Sequence, residues 1–273
     1  MTFSTLMVHL ELEHPNDARL QIAGDLAEKF NAKLIGIAAA NPQPPNYAGG
    51  SVARGLVEHE RIEVKKRIEE AEERFRAAID GRAHGVEWRS ALERPIDYVA
   101  REARAADLII VGANRDGVLI DRQRRLDPSD LVMVAGRPLF LVPPEAEYLK
   151  LDKVLVAWKD TREARRAIVD ALPLLHKAKD VTVVEIVEGD ASRSEAEDRV
   201  KDVAAWLKRH DILAFPKVMH ATSEADQIDR IWKTEADIVV AGAYGHARLR
   251  EWVFGGVTRN LITRSRRCSF LAH

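Results

Sequence analysis

Glycines near the carboxyl end of the chain have the spacing that most clearly suggests chemistry. The segment Gly242-Ala243-Tyr244-Gly245 is followed, after nine residues, by Gly255-Gly256-Val257-Thr258. Glycine lets backbone N–H groups approach a ligand closely, and the N-terminus of a following helix favours an anion. One acid, Glu251, and six arginines surround these glycines: Arg248, Arg250, Arg259, Arg264, Arg266 and Arg267. The pattern fits a phosphate-binding loop, and the alternative interpretation is a set of turns beside a solvated basic surface.

The elements that would hold this loop occur twice in the chain. The segment Ala106–Ala113, ADLIIVGA, reappears 130 residues later as ADIVVAGA at Ala236–Ala243. Leu6–Val8 pairs with Val154–Val156 at an offset near 148, so the first half carries extra residues in its middle. A repeat of this length indicates a duplicated domain rather than a solenoid unit. We predict one domain over residues 1–144, with an inserted Pro- and Gly-rich loop near 41–58, and a second domain over 151–273.

Apolar strands alternate with amphipathic helices in each half. In the second half the predicted strands are Lys153–Trp158, Val181–Val187, Leu213–Met219, Asp237–Ala241 and Cys268–Ala272, and the predicted helices are Arg162–His176, Arg193–His210, Ala225–Thr234 and Val257–Arg264. The first half repeats this plan, with a long helix near Val57–Ile79. The alternation predicts an α/β fold of two tandem doubly wound domains. Ligands of such sheets bind beyond the carboxyl ends of the strands, where the strand order switches.

The glycine spacing, placed after the Ala-Asp-Ile-Val-Val strand and before a helix and a last strand, resembles the universal stress protein family (UspA-like domains). Val154–Trp158, followed by Lys159-Asp160-Thr161, is similar to the opening strand and loop of that family. The resemblance covers nearly the whole chain. It implies five parallel strands per domain in the order 3-2-1-4-5, a Rossmann-like fold related to adenine nucleotide alpha hydrolases. It also implies dimer-like packing of the domains and, in one branch of the family, bound ATP or AMP.

The resemblance also implies roles for individual residues of the second half. Backbone groups of the glycine loop would cradle the phosphates, a hydroxyl would meet a phosphate, and residues at the end of the first strand would lie near the base or ribose. The nucleotide-binding residues predicted in this way are Gly242, Gly245, Gly255, Gly256, Val257, Thr258, Ala157, Lys159 and Asp160.

Several positions depart from the nucleotide-binding pattern of that family. Gly256 stands where nucleotide-binding members usually have Ser or Thr, and Lys159 stands where they tend to have Asp. In the first half, Arg115, Arg125 and Leu126 replace the three aligned loop glycines. Side chains at these places would obstruct close backbone approach, so we predict ATP or AMP binding in the second domain only. The alternative is a structural or interaction protein of the same fold that binds no nucleotide and acts through its interfaces.

Other polar groups support further hypotheses. His9–His14 contains two histidines and two glutamates, which suggests either a metal site or an ordinary polar loop after a strand. The basic run Arg122–Arg125 lies among aspartates, which favours a salt-bridged surface loop. His246 is the candidate general base beside the glycine loop, and a surface role is the alternative. We assign no catalytic residue and no metal site, and expect at most slow ATP hydrolysis. Cys268 is predicted to be a buried residue of the last strand.

The composition argues against several classes of protein. The chain has 273 residues, with 42 Lys+Arg against 43 Asp+Glu and a formal charge of −1, unlike a dedicated nucleic-acid binder. Its one cysteine cannot form an internal disulfide. No apolar run approaches the roughly 20 residues of a membrane span, and the N-terminus does not resemble a signal peptide. We expect a cytoplasmic protein without membrane or nucleic-acid partners, whose domains pair within the chain, across a homodimer, or both. The resemblance implies a role in stress response.

Overall fold

The structure is a computed structural model of the 273-residue chain. It describes residues 2–42, 50–113, 124–188, 193–222, 230–231, 234–243, 261–262 and 266–273, with the side chains of these residues except 50–54. Two compact units are present. The first unit consists of Phe3–Arg137 and Pro144–Leu149, and the second unit consists of Met1–Thr2, Pro138–Pro143 and Lys150–His273. The domain limits expected from the sequence, 1–144 and 151–273, stay predictions.

The first unit is built around a parallel sheet. Its elements are β1 (Thr5–His9), α1 (Asp17–Phe30), β2 (Lys33–Ala39), α2 (Gly50–Ile79), β3 (Gly85–Ala91), α3 (Pro95–Glu102), a 3-10 turn (Ala103–Ala105), β4 (Leu108–Gly112) and α4 (Pro128–Val134). The strands lie in the order β3-β2-β1-β4. Val8 of β1 pairs with Gly36 of β2 on one side and with Ile110 of β4 on the other. The strand order therefore switches between β1 and β4.

The second unit repeats this plan and has two more strands. Its elements are β5 (Leu139–Val142), β6 (Lys153–Trp158), α5 (Arg162–Asp170), α6 (Leu172–Leu175), β7 (Asp180–Glu188), α7 (Arg193–Arg209), β8 (Ala214–Ala221), β9 (Ile238–Gly242) and β10 (Cys268–Ala272). The strand order is β5-β10-β9-β6-β7-β8. Strands β6 to β10 are parallel and confirm the predicted order 3-2-1-4-5. Strand β5, supplied by the first half of the sequence, pairs with β10 in the antiparallel direction.

The central strands are buried almost throughout. Ile109 of β4, Val239 of β9 and Phe270 of β10 are fully buried, as expected for parallel strands with both faces covered. Phe270 pairs with Phe140 of β5, which is also fully buried. Cys268 is buried in β10, which confirms that prediction.

The repeated Ala-Asp pair has the same structural role in both units. Asp107 Oδ2 accepts hydrogen bonds from the backbone N–H groups of Ser4 (2.8 Å) and Thr5 (3.0 Å). Asp237 Oδ2 accepts from Asp152 (3.0 Å) and Lys153 (2.9 Å) in the same way. Each aspartate thus joins the start of the fourth strand of its half to the start of the first strand. This contact explains why the sequence repeats an acid at that place.

Two helices differ from the sequence-based expectation. The helix predicted for Arg162–His176 is divided at Ala171 into α5 and α6, because Pro173 has no backbone N–H to continue the hydrogen-bond ladder. The insertion expected as a loop near 41–58 is helical from Gly50 onward, where α2 begins. Its Ala, Arg, Leu and Glu residues favour helix more strongly than the one internal glycine opposes it. The helices predicted at Ala225–Thr234 and Val257–Arg264 fall largely outside the described residues.

In the described part of the chain, no helix combines the length and apolar character needed to cross a membrane.

Candidate functional site

The carboxyl ends of β6 and β9 form the switch point of the second unit. These strands are parallel neighbours, with Ala157 of β6 paired to Ala241 of β9. Gly242 ends β9 next to this pair. The structure therefore brings Ala157 and Gly242 to one edge of the sheet, as the sequence predicted. The other loop residues, Gly245, Gly255, Gly256, Val257 and Thr258, lie outside the described residues, as does His246.

Gly242 has no side chain because α5 begins directly against it. A Cβ atom at Gly242 would lie 2.5 Å from the backbone N of Ala164 and 2.6 Å from the carbonyl carbon of Glu163. Real Cβ atoms do not approach backbone so closely. Glycine is thus required at this position by helix packing, whether or not a ligand binds beside it.

Helix α5 starts from a side-chain cap next to the strand end. Thr161 accepts a hydrogen bond from the Ala164 N–H at 3.3 Å, which is the usual N-cap contact. Lys159 and Asp160 are exposed between β6 and this cap. The Asp160 carboxylate is paired with Arg165 of α5. Both residues are therefore accessible at the carboxyl end of β6, and their contacts with a base or ribose stay predictions.

Glu163 places a buried carboxylate in the first turn of α5. Burial acts to raise the pKa of Glu163, but hydrogen bonds from its own backbone N–H, from Arg162 and from Thr161 outweigh burial and lower the pKa. A negative charge in the first turn is favourable for the helix. Because Glu163 and Thr161 already use hydrogen-bond donors there, the start of α5 is largely satisfied by the chain itself.

The first unit has a different side chain at the equivalent place. Arg19 and Ala164 are both the third residue after the N-cap of their helix, counted from Asn16 in α1 and Thr161 in α5. A Cβ atom at Gly112, which ends β4, would lie 2.5 Å from Arg19 Nη2. In the first unit, the guanidinium group of Arg19 thus lies against the glycine that ends the fourth strand. In the second unit, the backbone of Ala164 lies against the equivalent glycine.

Arg19 is buried and forms a polar cluster with Glu11 and Arg125, which are partly buried. Its Nη1 atom donates to the His9 carbonyl at 2.7 Å, and Nη2 donates to Glu11 Oε1 at 3.1 Å. Glu11 Oε2 lies 3.4 Å from Arg125 Nε. Arg125 aligns in sequence with Gly255 of the glycine loop, and the obstruction of the first-half crevice by its side chain stays a prediction.

The charges of this cluster are set by its burial. Burial and the positive charge of Arg19 lower the pKa of His9 from 6.5 to about 3, so the ring is neutral. Burial acts to raise the pKa of Glu11, but the positive charges of Arg19 and Arg125 contribute to a net decrease. Glu11 is therefore ionised between two guanidinium groups.

Helix α2 covers the neighbouring strand ends of the first unit. Val64 and Ile68 form a buried apolar cluster with Ala40, the residue after β2. The partly buried residues Leu12, Trp88 and Leu92 pack against it. An ionic rim adjoins this cluster, in which Glu13 pairs with Arg67 (2.9 Å) and Arg124 (3.2 Å), and Arg124 also pairs with Glu60 (2.9 Å).

These contacts bear on two hypotheses drawn from the sequence. The metal hypothesis for His9–His14 is not supported, because Glu11 and Glu13 pair with arginines and β1 ends at His9. Across the described ranges, no group of three or more His, Cys, Asp or Glu residues is placed to hold a metal ion. The basic run was expected to form a salt-bridged surface loop, and Arg124 and Arg125 do form ion pairs, with glutamates that are distant in sequence.

Arg19 was not singled out from the sequence, although a signal was present. It shares the buried stripe of α1 with Ile22, Ala23 and Leu26, at the i+3, i+4 and i+7 positions. An arginine on an apolar helical face must find a buried acceptor. Glu11, noticed only as a metal-ligand candidate, is that acceptor.

Comparison with known proteins adds information on the fold. No family model and no curated protein matches the chain. A universal stress protein from Archaeoglobus fulgidus DSM 4304 superposes with a TM-score of 0.74 at 14% identity, over 98% of this chain and 97% of that one. A Pseudomonas aeruginosa UCBPP-PA14 protein described as a universal stress protein gives 0.59 at 14% identity, over 99% and 93%. A functionally unknown protein from Pseudomonas aeruginosa PAO1 gives 0.57 at 13% identity, over 99% and 92%. The chain has the tandem α/β fold of the universal stress proteins.

Proposed function

We propose that the second unit binds one adenine nucleotide, ATP or AMP, at the carboxyl ends of β6 and β9, and that the first unit binds none. The contrast between Ala164 and Arg19 carries this proposal. At the same helical position, beside the glycine that ends the fourth strand, the second unit has a methyl group and the first has a buried guanidinium. Among the described residues, a buried guanidinium lies beside the glycine that ends the fourth strand in the first unit, and the equivalent residue of the second unit is an alanine.

The proposed site combines the described strand ends with the glycine loop. Gly242 sets where the loop leaves β9, and Ala243 continues it, held by a hydrogen bond from its N–H to the Ala272 carbonyl at 2.8 Å. Backbone groups of Gly245, Gly255, Gly256 and Val257 would hold the phosphates, and Thr258 would supply a hydroxyl. Lys159 and Asp160, exposed at the end of β6, would meet the base or ribose. Six nearby arginines would favour the nucleotide's negative charge.

The proposed cellular role is that of a cytoplasmic stress-response protein that senses or buffers adenine nucleotide. As expected from the sequence, any ATP hydrolysis would be slow. The pairing of β5 with β10 supports association of the two sequence halves within one chain. A homodimer remains a second prediction.

A structural or interaction protein without nucleotide is the second candidate. Packing against α5 alone accounts for the glycine at 242. Asp160 already has a partner in Arg165. Both features would be present in a protein that uses this fold only to present its surfaces.

Nucleotide content is the direct test. Freshly purified protein is denatured and the released small molecules are identified by liquid chromatography and mass spectrometry, with ATP titrated calorimetrically alongside. We expect one ATP or AMP per chain. Gly245→Arg, which copies Arg115 of the first half, should abolish binding. The matched control is Gly55→Arg, because an added Cβ at Gly55 meets no atom within 4 Å.

Each outcome separates the candidates. Absence of nucleotide together with no binding at millimolar ATP supports the interaction protein. Unchanged affinity in Gly245→Arg shows that the glycine loop is not the site. ATP turnover above background, lost in His246→Ala, would show an enzyme.

A further inference from the structure

Among the described residues, the polar cluster at the carboxyl ends of β1 and β4 has one carboxylate, Glu11, that contacts two guanidinium groups. Arg19 is 7% exposed, and the Arg125 side chain is 18% exposed. The neutral ring of His9 adds no charge. On the ionic rim, the negative charges of Glu13 and Glu60 are paired with the positive charges of Arg67 and Arg124. Glu11 is thus the counter-charge of the buried arginines.

The Glu11 carboxylate is bound as an external oxyanion would be. Its two oxygens face different arginines, Oε1 at 3.1 Å from Arg19 Nη2 and Oε2 at 3.4 Å from Arg125 Nε. Guanidinium groups bind carboxylate and phosphate oxygens with the same donor geometry. Arg125 Nε is buried and faces Glu11 Oε2 as an ion pair, but it has no hydrogen-bond partner among the described residues. Its N–H is therefore a donor that the Glu11 carboxylate leaves unused.

The surroundings limit the size of any ligand at this place. Gly112 lies against Arg19 without room for a methyl group. Val64 and Ile68 of α2 cover the neighbouring end of β2. These contacts favour a small oxyanion over a nucleotide.

We propose that the first unit retains an oxyanion site, formed by Arg19 and Arg125 at the ends of β1 and β4, and that the Glu11 carboxylate is its built-in ligand. A small external oxyanion takes this position when the carboxylate is removed. The first unit therefore keeps the geometry of an occupied site at any ligand concentration. This inference is independent of nucleotide binding by the second unit.

Inorganic phosphate is the probe for this site. The full-length Glu11→Ala variant is titrated with phosphate by calorimetry, with ionic strength held constant by potassium chloride, and its thermal unfolding is followed in parallel. A buried and a partly buried guanidinium group that lose their counter-charge bind an anion strongly. We expect one additional phosphate per chain, bound at least about tenfold more tightly than by the wild-type protein. The unfolding temperature, lowered by the substitution, should rise again with phosphate.

Matched variants identify the source of the effect. Glu13→Ala removes a carboxylate from the same loop, but one that is 35% exposed on the rim, and it should gain no phosphate site. Glu11→Ala combined with Arg19→Met should lose the gained site. If Glu11→Ala folds poorly, refolding in phosphate and in chloride at equal ionic strength replaces the titration, and phosphate should restore the native yield.

The proposal is overturned if Glu11→Ala responds to phosphate no more than Glu13→Ala, or if the double variant keeps the response. Phosphate bound by the second unit would appear equally in the wild type and all variants. Failure of the nucleotide proposal would therefore leave this comparison intact.

Discussion

Arg19 Nη2 lies 2.5 Å from the point that a Cβ atom on Gly112 would occupy. The corresponding glycine of the second half, Gly242, is met by the backbone of Ala164 instead. The two halves thus have a glycine at the same position of the repeat for different structural reasons. In the first unit the glycine makes room for a charged side chain, and in the second it makes room for the start of a helix.

This difference predicts unequal costs of adding a methyl group. Gly242→Ala should lower the free energy of unfolding by about 3 kcal/mol, because the α5 backbone must move. Gly112→Ala should cost about 1 kcal/mol, because the end of the Arg19 side chain can shift. Urea unfolding followed by circular dichroism measures both.

Gly85→Ala is the control for these substitutions, since its nearest atom, Lys33 Cγ, would lie 3.8 Å away. Its stability should be unchanged or slightly higher. A larger loss in Gly112→Ala than in Gly242→Ala would contradict the packing described for the two units.

The repeated aspartates should stabilise the protein through their hydrogen bonds. Asp237→Ala leaves the N–H groups of Asp152 and Lys153 without their acceptor. We expect a loss of about 2 kcal/mol, as for hydrogen bonds to a charged group. Asp237→Asn keeps an acceptor oxygen and should lose less. Thermal unfolding of both variants distinguishes the contact from the charge, and equal losses would assign the effect to the charge alone.

His9 should make the protein less stable as the pH falls. The pKa of His9 is about 3 in the folded protein and 6.5 in the unfolded chain. At a pH between these two values, the unfolded chain binds a proton at His9 and the folded protein does not. The stability present above pH 6.5 is therefore lost as the pH decreases, by up to about 1.4 kcal/mol per pH unit. Urea unfolding between pH 7.5 and 5, compared with His9→Leu, measures this contribution. A slope unchanged by the substitution would show that His9 titrates normally.

Thr161 should stabilise the start of α5. Thr161→Ala removes the acceptor for the Ala164 N–H and should cost about 1 kcal/mol. Thr161→Ser keeps the hydroxyl and should stay close to the wild type. If the alanine and serine variants unfold at the same denaturant concentration, the cap contributes nothing measurable.

Much of the fold could be predicted from local patterns. The ADIVVAGA segment and its copy mark the fourth strands, and the strand order of β6 to β10 is the one expected. The ends of the helices were harder to predict than the strands, because a single residue can determine where a helix ends. Pro173 divides a segment whose apolar spacing continues through it, and α2 extends into a segment whose nearby prolines and glycines suggested a loop.

The sequence by itself determined the duplication, the α/β class and the place of the glycine loop after the fourth strand, because these depend on residue types at short spacing. It also indicated that the first half lacks the loop glycines. Only the tertiary structure decided what fills the first-half switch point. Glu11 follows β1, Arg19 lies in α1 and Arg125 precedes α4. The fold brings the Glu11 carboxylate to 3.1 Å from Arg19 and 3.4 Å from Arg125. The spacing of residues in the sequence does not predict such a contact, because burial and charge pairing depend on how distant segments pack in the fold.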